Sequence, residues 1–324
     1  MELNIMLKRY ILMSVCICNF VFGGWFSKQW NIDNPPSLEE SLKSLLQVNC
    51  QKVDILKGIT PNSYYKNKDA ISQCIKEQKF LKAIINDDVS TYKKMLDANE
   101  WSRYFLFYTT YSPRLEITPL MVSIVFNSPK VFRAILADSG HIDILSQKIS
   151  PRFNIDRMMS DDYAFSGAFK LGNRIYDVNG VSALDLSAMY HRYDMFWELL
   201  AQGATYNNPK YPQTNGIVTF GDANILELML YFDEEFLNDF GGGNILHFVT
   251  RDGNLELLEY LITQKDMPID ALKAGETPLD AALSGKNFQR KPQIQAAQKL
   301  IELGAKVSEA NQHRLNKLLQ KKQE

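Results

Sequence analysis

Residues 244–262, NILHFVTRDGNLELLEYLI, decide the fold. Leu246, Val249 and Thr250 stand at i, i+3 and i+4, one face of a short helix. Gly253 interrupts that period, and Leu255, Leu258, Leu261 and Ile262 resume it. The pattern predicts two short antiparallel helices joined by a tight turn. Neither is long enough to be stable alone in water, so the unit has to bury its apolar stripe against further units of the same kind.

Such units lie on both sides. Upstream are Thr118, Pro119, Leu120, Ser123, Ile124, Asn127, Phe132, Ile135 and Leu136, then Ser182, Ala183, Leu184, Ser187, Ala188, His191, Phe196, Leu199, Leu200, Gly203 and Ala204. Downstream, Thr277, Pro278, Leu279, Ala282 and Leu283 lead to Leu300, Ile301, Gly304 and Ala305. About six extra residues, 286–291, fall where that unit turns its corner. Fainter copies run through Phe80, Ala83, Ile84, Asp87, Tyr92, Met95 and Leu96, and through Gly221, Leu226, Met229 and Leu230. Unit starts at Ser182, near Pro212, at Asn244 and at Thr277 are spaced roughly 30 to 33 residues apart. The turn position holds Asp87, Asn127, His191, Gly221 and Gly253, residue types that accept a left-handed backbone, and never a β-branched one.

Through its Thr-Pro-Leu starts, the Leu246-His247 pair, the paired leucines and the Gly-Ala ends, the chain resembles the ankyrin repeat family from about residue 78 to 319. The resemblance implies an all-α, ankyrin-type solenoid of helical hairpins, about six units over 78–319. Residues 37–77 are expected to form an N-terminal helical cap. Ser37 and Glu40 have capping-box spacing, and Leu38, Leu42, Leu45, Leu46 and Val53 predict a helix of about 18 residues. A second helix from near Asp69 would carry Ile71, Cys74 and Ile75 inward. The step from Thr118 to Ser182 is 64 residues, nearly two periods. Residues 139–180 are expected to be one long insertion with its own apolar contacts, the alternative being a decayed repeat, because Phe153, Met158, Tyr163 and Phe169 occur there without paired leucines. Leu315, Leu318 and Leu319 predict a last helix before the polar tail, 320–324.

At the other end, Lys8 and Arg9 precede an apolar run from Tyr10 to Phe22, followed by Gly23 and Gly24, the layout of a signal peptide over 1–23. The run is short of the roughly 20 residues that span a bilayer. An uncleaved anchor and an internal apolar element are the alternatives. The expected location is exported, periplasmic or secreted. In that oxidising setting Cys50 and Cys74, each read on the apolar stripe of its own helix, would form a disulfide; in a reducing one they would be two buried thiols.

A net charge of −1 leaves no electrostatic footprint for nucleic acid. His141, His191, His247 and His313 are isolated, and no zinc spacing is present. Gly241, Gly242 and Gly243 lack the Lys-Ser/Thr of a phosphate loop. No catalytic residue, cofactor or metal site is therefore expected. The resemblance gives His247 a structural role, hydrogen bonding within and between repeats. It also implies binding of a protein partner, of unspecified identity, through the concave face and hairpin tips. Phe126, Met189, Tyr190 and Arg251 precede inter-helix turns and are of types enriched at interface hot spots. Tyr190 and Arg251 are expected to be exposed in the free protein; Phe126 and Met189 could instead pack against the insertion. The expectation is an exported, monomeric, non-catalytic scaffold that meets a membrane only if residues 1–23 are retained. A membrane-anchored version and an enzyme with its site in 139–180 are the alternatives.

Overall fold

A computed structural model describes residues 37–47, 49–51, 69–98, 105–107, 115–139, 150–151, 168–171, 174–177, 181–204, 221–237, 245–284 and 290–320. The expected signal segment 1–23, Val53, Gly285 and most of the insertion lie outside them. The helices are α1 (Leu38–Leu45), α2 (Asp69–Ile85), α3 (Val89–Asp97), α4 (Pro119–Val125), α5 (Pro129–Ser139), α6 (Ala183–Met189), α7 (Tyr193–Ala201), α8 (Ala223–Phe232), α9 (Ile245–Asp252), α10 (Leu255–Thr263), α11 (Pro278–Ser284), α12 (Arg290–Glu302) and α13 (Glu309–Gln320). None of these is long and apolar enough to cross a membrane.

From α2 onward the helices form pairs, and in four of them the first member stops in the same way. Asp87, Asn127, His191 and Gly253 follow α2, α4, α6 and α9 with positive φ of 54°, 54°, 52° and 73°. At each stop two backbone bonds close the helix end: the left-handed residue donates three back and the next residue five back, as in Asn127 to Ile124 and Ser128 to Ser123. This satisfies carbonyls that the helix would otherwise leave bare and turns the chain at once into the second helix. Gly203 and Gly304 end α7 and α12 by the same pair of bonds. Most starts are alike too: Thr118, Ser182, Asp222 and Asn254 accept a bond from the third helical N–H with their own side chains, whereas Arg192 before α7 makes no such bond. The φ of Gly221 depends on residue 220, outside the described set.

First helices stack on first helices, α2 on α4, α4 on α6, α9 on α11 and α11 on α13. Second helices do likewise, α3 on α5, α7 on α8, α8 on α10 and α10 on α12. One continuous apolar core runs between the two layers, including Phe80, Phe132, Phe196, Leu246, Leu258 and Leu300. Ion pairs cross adjacent second helices: Arg133 with Glu198 at 2.7 Å, Glu227 with Lys265 at 2.6 Å, Glu259 with Lys299 at 2.8 Å.

The helical-solenoid class holds, with short strands set between the helices. β1 (Phe105–Phe107), β2 (Leu115–Ile117) and β3 (Ser150–Pro151) make one antiparallel sheet in that order, so the insertion returns a strand to the second repeat's hairpin. β4 (Ala168–Leu171) and β5 (Arg174–Asp177) pair as a hairpin.

Two expectations for residues 37–77 need correction. The first helix is 8 residues long rather than about 18, because Leu46 and Gln47 donate three back and tighten its last turn to a stop. Ile75 is 48% exposed rather than turned inward. α2 has 17 residues and its neighbour α4 only 7, and the fully buried side chains described on α2 fall in its second half, from Phe80 to Ile84.

Candidate protein-binding face

The inner face is built from the C-terminal ends of the first helices and the hairpins between pairs. α1 lies across it, beside β1 and β4, and does not simply stack on the end of the array. Its capping box is complete: Ser37 accepts from the Glu40 N–H and Glu40 from the Ser37 N–H. Leu38 and Leu42, one turn apart, are fully buried, a contribution of about 2 kcal/mol each by apolar area. The polar side of α1 also meets the array. The Tyr190 hydroxyl donates to Glu39 at 3.0 Å, and the Lys43 ammonium stands 5.7 Å from the Phe126 ring centroid. Gln78 of α2 donates to the Leu45 carbonyl at 2.8 Å. Cys50 and Cys74 are joined by a disulfide with Cα atoms 5.6 Å apart; Cys50 lies beyond the end of α1, not on its stripe.

Three of the four sequence candidates thus meet structure rather than solvent. Met189 is 3% and Tyr190 8% exposed, which overturns the expectation that Tyr190 is open in the free protein. Phe126 is half-buried under Lys43. Phe126 and Tyr190 both meet α1, and the Arg192 guanidinium carbon also stands 5.8 Å from the Tyr190 ring centroid. Arg251 is half-exposed, its guanidinium carbon 5.1 Å from the Phe248 ring and its Nε 3.8 Å from Asp252. Lys273 stands against the same ring at 4.2 Å. It begins a hairpin in which Lys273 and Glu276 exchange both backbone bonds and Ala274 and Gly275 have φ of 50° and 85°, the two left-handed residues of a tight hairpin turn. Glu39, Phe248 and Lys273 were not singled out from sequence. The Lys-Ala-Gly-Glu hairpin was the one available signal.

Between repeats the turns are stitched by side chains. Asp87 accepts from the Val131 N–H at 2.8 Å, and Asn254 donates to the Gly221 carbonyl at 2.8 Å. Arg192 donates to the carbonyls of Ile124 and Val125 at the end of α4, where a cation also suits the helix dipole. His191 Nδ1 lies 3.1 Å from Asp222, which also accepts from Tyr193. Burial is the largest single influence on Asp222 and raises its pKa, yet the bonds from Tyr193 and the Ile225 N–H, with the His191 ring, hold the carboxyl below its ordinary range. His247 Nε2 lies 2.9 Å from the carbonyl of Glu276, the residue before the next unit's Thr277.

That last bond links one unit's Leu-His to the next unit's Thr-Pro-Leu start. The array is an ankyrin-like repeat solenoid. No family model and no curated protein matches the chain. Among solved structures, the ankyrin repeat domain of human ASB11 is similar at 14% identity and a TM-score of 0.42, covering 71% of this chain and 85% of that one. One chain of the complex between a predatory endopeptidase of Bdellovibrio bacteriovorus and an immunity protein is similar at 16% identity and a TM-score of 0.37, covering 69% of this chain and 97% of that one. The recurring left-handed turn and the His247 bond to the next unit make this array ankyrin-like. Among the described residues no group of three or more His, Cys, Asp or Glu is placed to hold a metal ion.

Proposed function

We propose that the chain is an exported, non-catalytic scaffold that binds a protein partner through its inner face and hairpin tips. One observation carries the reading. The inner face already holds a helix, α1, by two buried leucines, a Tyr–carboxylate bond and a cation on an aromatic ring, which are the elements of a protein–protein contact. Export is supported by the Cys50–Cys74 disulfide, since such bonds persist in oxidising compartments.

Two measurements test this. A photo-crosslinking residue placed at Arg251, in the native compartment, should capture one discrete partner, while the same residue at Trp197 on the second-helix side should not; capture at Trp197 alone would overturn the reading. Val15→Arg puts a charge in the apolar core of the leader and should leave precursor in the cytosol. Export of that variant without loss of mass near Gly23 would remove the signal peptide from the proposal.

A further inference from the structure

At the fifth repeat two cations share one aromatic ring. Arg251 comes from the last turn of α9, Lys273 from the hairpin that follows α10, and both stand on Phe248. A helix end and a hairpin tip together are the two parts of the inner face. We propose that this corner seats an acidic side chain of a partner's peptide segment, beside Lys273 and in the field of Arg251. The proposal rests on the inner face being the protein-binding surface.

Like charges on one ring repel, and burial first, then the neighbouring Arg251, hold the Lys273 ammonium below its ordinary range. An incoming carboxylate offsets both costs, because it supplies the opposite charge and accepts an ammonium N–H. Among the described residues Lys273 forms no ion pair, and Arg251 has only Asp252 at 3.8 Å. A polyphosphate backbone fits worse: Asp252 follows Arg251 in sequence, Glu276 pairs with Lys273 across the hairpin, and the whole chain carries a net charge of −1. The same face shows the preferred chemistry at the third repeat, where α1 presents the Glu39 carboxylate to the Tyr190 hydroxyl.

The test is selection of random displayed peptides on the full chain, followed by measured affinities at two salt concentrations. Selected peptides should share Asp or Glu at one fixed position. Lys273→Met, which keeps an apolar stem over Phe248, should weaken them about tenfold, as loss of a charged hydrogen bond does, and should flatten the salt dependence. Arg251→Gln should act in the same direction, and melting curves show that each variant is folded. Binders that crosslink to the inner face without an acidic position, or that ignore both variants, would overturn this inference and leave the scaffold standing. Binders that never map to the inner face would overturn the scaffold reading and this inference with it.

Discussion

Gly253 has two independent reasons to be glycine. Its φ of 73° is a region that L side chains enter at a cost, and a Cβ there would lie 2.4 Å from the Cβ and 2.9 Å from the carbonyl carbon of Pro292. The second contact involves the backbone of α12, which cannot move aside like the end of a flexible side chain. Gly203 separates the two effects, since its φ is 88° but nothing lies within 4 Å of its would-be Cβ. Gly203→Ala should cost only the backbone term, about 1 kcal/mol, and Gly253→Ala about 2 to 4 kcal/mol. Equal losses in denaturant unfolding would show that Pro292 yields. The turn positions were legible in sequence because left-handed backbone selects residue type locally. The clash was not, because Pro292 belongs to the next unit.

At the scale of elements, the hairpins were readable because an apolar stripe and a breaking residue lie within one period. Strands of two to four residues, such as β1 and β3, carry too little alternation to read, and β3 gains its place by pairing with β2 from a distance. The cap was half readable. The Ser37–Glu40 box marked the start of α1, but its stop after Leu45 is a tightened turn that no breaker residue announces. The disulfide was the legible part, and it ties the segment after α1 to α2 across a sequence separation of 24. Closing a loop of that length in the unfolded chain is worth roughly 3 kcal/mol on chain-entropy grounds. Replacing Cys50 and Cys74 with Ser should therefore lower stability by about that amount, with the loss centred on α1 and the first half of α2. Alkylation of the unfolded mature chain gives the direct check. No labelling at Cys50 or Cys74 before reduction and two labels after it are expected, and two labels without reduction would refute the bridge.

Across the whole molecule, what the sequence could not give is contact between distant units. Tyr190 is buried and its hydroxyl is bonded to Glu39, 151 residues earlier, so a position that family pattern marks as open surface is covered by the chain itself. The same non-local logic governs stability, because a solenoid stands by its nearest-neighbour junctions. Carboxylates sit at several of them. Asp222 meets His191 and Tyr193 of the preceding unit; Glu227 is held below its ordinary range by Lys265, then by Tyr260, of the following one. Asp280, at the start of the sixth unit, is lowered too: burial pushes it up, but the Thr277 backbone and hydroxyl, Asn311 and Arg314 outweigh it. A folded-state pKa below the unfolded one means fewer protons bound when folded. The stabilisation is then complete above the ordinary carboxylate pKa and is lost as pH falls through the lowered one. Melting temperature should accordingly be level from about pH 7 to 5 and fall below about pH 4. Asp222→Asn keeps a helix-capping side chain but removes one titrating junction, so it should be less stable than the parent at neutral pH, with the gap closing on acidification. Melting curves that stay parallel down to about pH 3 would show that the Asp222 junction draws nothing from its charge.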